Sequence, residues 1–227
     1  MKSNLALKER TYSFDELSPD AKETARESWR TSDDGSNLQG VIEDAAECAK
    51  ILGIDLIADT TTRCSEPTIY WSGFCSQGDG ACFEGRYTFR PEAIAEIRQH
   101  AGQDTILHDI ADELHRLSNP SRLTFCGGAI TLVDHEWQEE PQSSALYAKM
   151  THSGHYYHSG CMDVEVSYSE GMEDPPIETA NAVTEQMRAF ADWIYKHLEA
   201  ENEYQNSDEA VDDMLSEYTF DEDGEIV

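Results

Sequence analysis

Carboxylates far outnumber basic side chains in this chain, and the excess limits what it can fold into. The 227 residues carry 46 Asp and Glu against 16 Lys and Arg, a formal net charge of −30. A small soluble domain needs a net charge of only roughly 2 to 8 in magnitude, and charge of one sign opposes compaction through self-repulsion. We therefore expect a basic partner that offsets the charge, or an acidic surface that serves solubility or salt adaptation.

The negative charge is concentrated at the C-terminal end. No Lys or Arg follows Lys196, whereas twelve carboxylates do. Apolar residues recur among them and predict a final short helix capped by Ser207, with Val211, Met214, Leu215 and Tyr218 facing inward. With these apolar residues facing inward, the carboxylates of the segment would face outward and form a negative surface that attracts a basic partner. Its predicted members are Glu199, Glu201, Glu203, Asp208, Asp212, Asp213 and Glu217.

Composition favours a folded protein without a membrane segment. Hydrophobic residues make up 39% of the chain and aromatic residues 9%, more than a disordered acidic chain carries. No apolar run approaches the roughly 20 residues of a membrane-spanning helix, and the N-terminus lacks the apolar stretch of a signal peptide. A cytoplasmic protein is expected. Because of its charge, neither nucleic acid nor an anionic membrane is expected as a direct partner.

Helical and strand patterns predict an α+β fold, in which a small antiparallel sheet packs against several helices. Helices are expected from Pro19 to about Ser32, around 42–52, and at about 91–100 and 104–117. Strand patterns lie between about 68 and 168, including 68–74, 82–89, 123–133, 146–150 and part of 156–168. An apolar stripe at Val183, Met187, Phe190, Ile194 and Leu198 predicts a long helix from about 178 to 204. We expect one α+β domain over residues 1–204 and an acidic helix and tail over 205–227.

A glycine-rich segment lies between two predicted strands at residues 70–86. Its loop contains Gln77 and Asp79, and its backbone amides could face an anionic group or a partner. The alternative is a long hairpin turn, in which Gln77 and Asp79 satisfy backbone amides and Gly78 and Gly80 supply positive φ angles. The segment lacks the Lys-Ser/Thr ending and following helix of a phosphate-binding loop.

Three histidines and a cysteine follow one another at every third position: His152, His155, His158 and Cys161. Imidazole and thiolate are ligands for Zn²⁺ or another transition metal, so this set is the candidate metal site, with zinc as its expected ion. No other cofactor is expected. Residues three apart on a straight strand point to opposite faces, so the set could converge only around a bend. Ordinary histidines of a hairpin are the alternative, and His155 or His158 acting as a general base beside Asp79 is another.

The six cysteines show no C-x-x-C spacing and are expected to be free thiols. Cys75 and Cys82 flank the glycine-rich turn, so a disulfide across the hairpin is the alternative for that pair.

Four segments carry a resemblance to a known family. They are YSFDELSPDAK at 12–22, IYWSGFCSQGDGACFEG at 69–85, HSGHYYH at 152–158 and YQNSDEAV at 204–211. With these segments the chain resembles a family of proteins encoded by tailed phages and prophages, often labelled as an antitoxin of a toxin–antitoxin stability system. The resemblance implies a phage origin and a host-cell cytoplasmic location.

Charge and resemblance together predict an acidic phage protein that inhibits a basic, nucleic-acid-binding defence protein of the host. This prediction rests on analogy with anti-CRISPR and anti-restriction proteins, some of which are acidic and mimic DNA. An antitoxin-like regulatory partner is the alternative, and a homodimer is left open. A small metal-dependent enzyme built on the glycine loop and the histidines is a third hypothesis, although a non-enzyme is favoured.

Overall fold

The computed structural model describes residues 10–32, 37–59, 66–118, 130–133, 136–139, 146–168 and 174–227. The helices within these ranges are α1 (Pro19–Thr31), α2 (Gln39–Leu52), α3 (Ala93–His100), α4 (Thr105–Ser118), α5 (Ile177–Gln205) and α6 (Asp208–Leu215). The strands are β1 (Tyr12–Ser13), β2 (Ile54–Leu56), β3 (Ala58–Asp59), β4 (Glu66–Pro67), β5 (Ile69–Trp71), β6 (Ala81–Phe83), β7 (Gly85–Thr88), β8 (Ile130–Val133), β9 (Glu136–Glu139), β10 (Leu146–His152), β11 (Met162–Tyr168) and β12 (Thr219–Phe220). None of the described helices has the length and apolar character needed to cross a membrane.

Helix ends follow the local signals in the sequence. Ser18 accepts a hydrogen bond from the backbone N–H of Ala21 at 3.2 Å, and Pro19 occupies the first helical position of α1. Ser207 caps α6 in the same way, accepting from Ala210 N–H at 3.3 Å. Gly53 follows the end of α2 with a φ of +88°, a conformation that favours glycine. These three predicted helix boundaries are confirmed.

The predicted α+β class is confirmed. Its largest sheet has the strand order β11-β10-β7-β2, with antiparallel neighbours throughout. Side chains alternate across the sheet, so Tyr87, Ala148 and Met150 are buried while Arg86 and Lys149 are exposed. The strands expected at 68–74 and 82–89 form a hairpin only where β5 pairs with β6. The second strand is interrupted at Glu84, and β7 pairs with β10 and β2 in the larger sheet.

The long helix α5 buries the predicted apolar stripe. Val183, Met187, Phe190, Ile194 and Leu198 are all fully buried. The Phe190 ring meets the ring of Phe83 on β6 edge-on, with centroids 5.6 Å apart. This contact joins the helix to the hairpin beside the glycine-rich loop.

Contacts divide the chain into two units at positions other than the expected 204–205. The terminal unit comprises Met1–Gly40 and Leu198–Val227, and the central unit comprises Val41–His197. Strands β1 and β12 pair with each other. The terminal core joins residues from both chain ends: Phe14, Leu17, Ala21, Ala25, Val211, Leu215 and Phe220. An eight-residue helix such as α6 is too short to be stable alone, so its apolar face requires the N-terminal segment.

Two of the four side chains predicted to anchor α6 are not buried. Val211 and Leu215 are fully buried, but Met214 is 48% exposed and Tyr218 is 37% exposed. Tyr218 lies against Trp29, with ring centroids 5.5 Å apart. Met214 sits one residue before Leu215, on a different face of the helix, so the prediction was wrong for that position.

Several sequence predictions fall outside the described residues. The strand expected over 123–133 is described only at β8, and Cys64 and Cys126 lie beyond the described ranges. The side chain of Trp137 on β9 is likewise not described.

A buried hydrogen bond in the central unit gives a stability prediction. The Tyr87 hydroxyl donates to the Ser118 hydroxyl at 3.0 Å, and both residues are buried. Replacing Ser118 with Ala leaves the Tyr87 hydroxyl without this acceptor, so we expect a loss of about 1–3 kcal/mol in unfolding free energy. The double variant Ser118→Ala, Tyr87→Phe should recover part of that loss. Urea unfolding of the two variants and the parent would measure this, and a double variant less stable than Ser118→Ala would contradict it.

Candidate functional site

Two of the predicted partner-binding carboxylates are bound by arginines of their own unit. The Arg26 guanidinium donates from Nε and Nη2 to the two carboxylate oxygens of Asp212, at 2.6 and 2.7 Å. Arg30 donates to Asp208 and, from Nε, to the backbone carbonyl of Asn206 at 3.0 Å. The hydrogen bonds from Arg26 lower the pKa of the Asp212 carboxyl. Asp208 and Asp212 therefore fasten α6 to α1.

A second face of α6 borders a cavity of about 310 Å³ within the terminal unit, here called the α6 groove. Aromatic and aliphatic side chains form much of its wall, and two of them are open to solvent: Tyr204 is 62% exposed and Met214 is 48% exposed. The lining residues are Trp29, Asn37, Glu201, Tyr204, Gln205, Ala210, Asp213 and Met214.

Helical spacing explains which carboxylates reach the groove. Ala210, Asp213 and Met214 are three and four residues apart, so they share one face of α6. On α5, Glu201 shares a face with Tyr204 and Gln205 in the same way. Glu199 and Glu203 are each two residues from Glu201, about 200° around the helix. The single negative surface expected from the sequence is therefore divided among several faces.

Hydrogen bonds fix one wall of the groove. The Gln205 amide nitrogen donates to Glu201 Oε1 at 2.6 Å and to the backbone carbonyl of Asn37 at 2.9 Å. Its amide oxygen accepts from the Asn37 N–H at 2.8 Å. The Glu201 carboxylate is thus held in place at the groove.

Asp213 has no such partner. Within the described part of the chain, no Lys, Arg or His lies within 4.0 Å of its carboxylate. The same holds, over the same residues, for Glu203 and Glu217, which are exposed, and for half-buried Glu199. The groove therefore combines exposed apolar walls with one held and one unpaired carboxylate, an arrangement suited to a basic segment that carries an apolar side chain.

The glycine-rich loop of the central unit is an ordinary turn at Asp79. One Asp79 carboxylate oxygen accepts from the N–H groups of Cys75 at 2.9 Å and Ser76 at 2.6 Å, as the turn interpretation predicts. Gln77 is exposed. A role for Gln77 or Asp79 in partner binding stays a prediction.

The reason predicted for the loop glycines is wrong. Positive φ angles among the described glycines occur at Gly53, Gly154 and Gly224, not at Gly78 or Gly80. Gly80 is needed for close approach, because a Cβ there would lie 2.5 Å from the Cβ of His158. At Gly78 the nearest atom to an added Cβ is Tyr156 Cδ1 at 3.4 Å, an ordinary contact.

The structure brings together two of the four predicted zinc ligands. His158 Nε2 lies 3.1 Å from Cys161 Sγ, and His158 Nδ1 accepts from the Gly160 N–H at 3.1 Å. His152 instead contacts the backbone carbonyl of Tyr156 at 3.0 Å, and His155 packs against the edge of the Tyr156 ring. No hydrogen bond links Asp79 to a histidine in the described ranges. Zinc binding by the four residues stays a prediction.

A different ligand cluster lies elsewhere in the central unit. Asp44, Cys48 and His100 place one ligand atom each within 4.8 Å of one another, and in the described residues this is the one such group of three. The sequence analysis missed it because His100 lies on another helix. The four-residue spacing of Asp44 and Cys48 on α2 was the available signal.

The four described cysteines, Cys48, Cys75, Cys82 and Cys161, are free thiols, as expected. Cys75 and Cys82 are both among them, so the alternative disulfide across the hairpin is not formed. Burial raises the pKa of the Cys82 thiol to about 12.

Comparison with known protein families assigns the chain to one family. The model of one family, described as a domain of unknown function (DUF8835), matches residues 38–208. The chain belongs to this family. The match covers the whole central unit and reaches the first residue of α6. No curated protein and no solved structure matches the chain, and the resemblance to phage-encoded proteins stays a prediction.

The arginine contacts predict unequal roles for two adjacent aspartates. Asp212→Asn removes the charge that pairs with Arg26, so we expect it to lower the unfolding free energy by about 1 kcal/mol. Asp213→Asn should change stability by less than about 0.5 kcal/mol. Thermal or urea unfolding of both variants at neutral pH measures the difference.

The same pair predicts a pH dependence. The folded pKa of Asp212 lies below its unfolded value, which is about 3.9 for aspartate. Its stabilising effect is therefore present above that value and disappears as the pH falls through the lowered folded pKa. The parent and Asp212→Asn should converge in stability in acid. A constant difference between them from neutral to strongly acidic pH would argue against the pairing.

The two loop glycines give a matched test of close packing. In Gly80→Ala the new methyl group meets the Cβ and backbone of His158, so we expect a loss of about 1–3 kcal/mol. Gly78→Ala should stay within about 0.5 kcal/mol of the parent. Melting temperatures of both variants measure this, and equal melting would show that the loop does not pack closely on His158.

Proposed function

We propose that the protein binds a basic protein partner through the α6 groove. An apolar side chain of the partner enters the groove between Tyr204 and Met214, and an adjacent Arg or Lys pairs with Asp213. The observation that carries this proposal is the exposed apolar wall beside an unpaired carboxylate, at a chain end without Lys or Arg after residue 196.

The two parts of the surface have different effects on binding. The surrounding carboxylates attract a basic partner over distance and raise the association rate, an effect that salt screens. The groove supplies the short-range contact, because binding energy concentrates where aromatic and aliphatic side chains enter a pocket. Exposed Tyr204 and Met214 have an apolar surface that a partner would cover.

The proposed partner class is a host protein whose basic surface normally holds nucleic acid. Such surfaces present clustered Arg and Lys to phosphates, and an acidic protein that covers them inhibits the nucleic-acid-binding protein. An inhibitor of a phage-defence effector and an antitoxin-like regulator both fit this binding mode. Mimicry of DNA by charge alone is less well supported, because Asp208 and Asp212 are paired with arginines and the other carboxylates occupy several faces.

A defined peptide tests the groove directly. The probe is a fluorescent peptide of alternating Arg and Leu, and its control replaces every Leu with Ala. We expect the parent to bind the first more tightly, and Asp213→Lys to weaken that binding by about tenfold, as loss of one close charge pair implies. Met214→Ala and Tyr204→Ala should also weaken binding of the Arg–Leu peptide, but the salt dependence of that binding should stay close to the parent's. Fluorescence anisotropy at low and physiological salt gives these affinities.

Glu217→Lys is the matched control. It changes the net charge by the same amount as Asp213→Lys, at an exposed carboxylate outside the groove lining. If both reversals weaken the peptide equally, binding depends on diffuse charge and the groove proposal fails. The groove proposal also fails if the parent binds the Leu and Ala peptides with equal affinity.

The partner class needs a separate experiment. Immobilised parent, Asp213→Lys and Glu217→Lys proteins are exposed to bacterial lysate at low salt, with and without added duplex DNA. An expected partner meets three conditions. It is retained by the parent and by Glu217→Lys, it is not retained by Asp213→Lys, and added DNA displaces it. If retained proteins are not displaced by DNA, the proposed class is wrong even where the groove binds.

A further inference from the structure

Three potential metal ligands, from the middle of α2 and the C-terminal end of α3, lie together in the central unit. Asp44 and Cys48 are one helical turn apart on α2, and His100 is the last residue of α3. The oxygen, sulfur and nitrogen ligand atoms all lie within 4.8 Å of one another. Ligands around a tetrahedral zinc ion are about 3.3–3.7 Å apart, as bond lengths of about 2.0–2.3 Å require. Small side-chain rotations would therefore bring the three onto one ion.

The surroundings of Cys48 favour a cation. The carboxylates of Asp44, Asp104 and Glu47 all act electrostatically on the Cys48 sulfur. These carboxylates are a concentrated negative charge beside a fully buried sulfur. A divalent ion would compensate that charge and stabilise the thiolate, since a coordinating thiol is deprotonated by the metal.

The site is open to solvent on the side of the other two ligands. The Asp44 side chain is 54% exposed and that of His100 is 33% exposed. His100 Nε2 contacts Asp44 Oδ1 at 2.8 Å, so the imidazole already faces the carboxylate. An ion could enter from this side, and water could complete its coordination.

We propose that Asp44, Cys48 and His100 bind a divalent transition-metal ion, with Zn²⁺ as the expected occupant. A thiolate and an imidazole select zinc or cobalt over Mg²⁺ and Ca²⁺, which prefer oxygen ligands. On binding, the Cys48 sulfur forms the metal bond and its proton passes to solvent. Three protein ligands and one water leave an exchangeable position on the ion.

Asp104 is not a ligand in this proposal. One of its carboxylate oxygens accepts from the N–H groups of Ile106 and Leu107 at 3.0 Å, and the other accepts from the Trp193 indole at 2.6 Å. Burial opposes ionisation, but these hydrogen bonds and the nearby His197 lower the pKa of Asp104. It remains ionised and adds to the negative field at Cys48.

Cobalt titration of the purified, metal-stripped protein tests the proposal. Co²⁺ bound by a thiolate gives a near-ultraviolet charge-transfer band and visible bands typical of tetrahedral coordination. We expect one Co²⁺ per chain with both features, displaced by one equivalent of Zn²⁺. Cys48→Ser should abolish the charge-transfer band, and His100→Gln and Asp44→Asn should each weaken Co²⁺ binding at least tenfold.

Cys161→Ser and His158→Gln are the matched controls, since they remove the other His–Cys pair of the same unit. The band should persist in both. The proposal is wrong if the parent gives no band, if Cys48→Ser retains it, or if either control loses it. Because Cys48 is buried, the metal-free melting of Cys48→Ser must be compared with the parent. If that variant does not fold, the half-exposed His100→Gln decides the outcome.

Discussion

The contact between Arg26 and Asp212 is the interaction on which the C-terminal acidic segment depends. Twelve carboxylates follow Lys196 without any Lys or Arg among them, so a Lys or Arg that pairs with them comes from elsewhere in the chain. Arg26 and Arg30 on α1 pair with Asp212 and Asp208. Val211 and Leu215 pack in one core with Phe14, Ala21 and Ala25. Charge pairing and apolar burial therefore both hold α6 against the N-terminal segment.

This arrangement gives the two sides of α6 different tasks. The side with Asp208, Val211, Asp212 and Leu215 is directed to α1 and stabilises the unit. The adjacent side with Asp213 and Met214 remains open and borders the α6 groove. A helix of eight residues can serve both purposes because residues three and four apart share a face while neighbours do not. The groove consequently lies on a support whose position is set by the arginine contacts.

In the central unit, local hydrogen bonds and one close approach between distant segments organise the loops that the sequence marked as unusual. Asp79 closes its own turn, and Gly80 lets the backbone of the glycine-rich loop approach His158. His158 in turn contacts Cys161. These residues form a packed junction between two hairpins, and close packing on His158 explains why position 80 is a glycine. The proposed metal ligands lie instead on α2 and α3, where no unusual motif drew attention to them.

The sequence by itself determined the α+β class and the positions of the main helices. Ser18, Ser207 and Gly53 mark helix ends, and the stripe from Val183 to Leu198 marks the buried face of α5, because caps and periodicity act within one element. Only the tertiary structure decided which carboxylates are paired, why Gly80 is required and which histidine meets which cysteine. Arg26 and Asp212 are 186 positions apart, and Cys48 and His100 lie on different helices. Such contacts depend on how elements pack, and spacing along the chain carries no record of that packing. Met214 shows that burial could not be fully predicted even within one helix. It is an apolar residue next to buried Leu215, yet it is exposed to solvent.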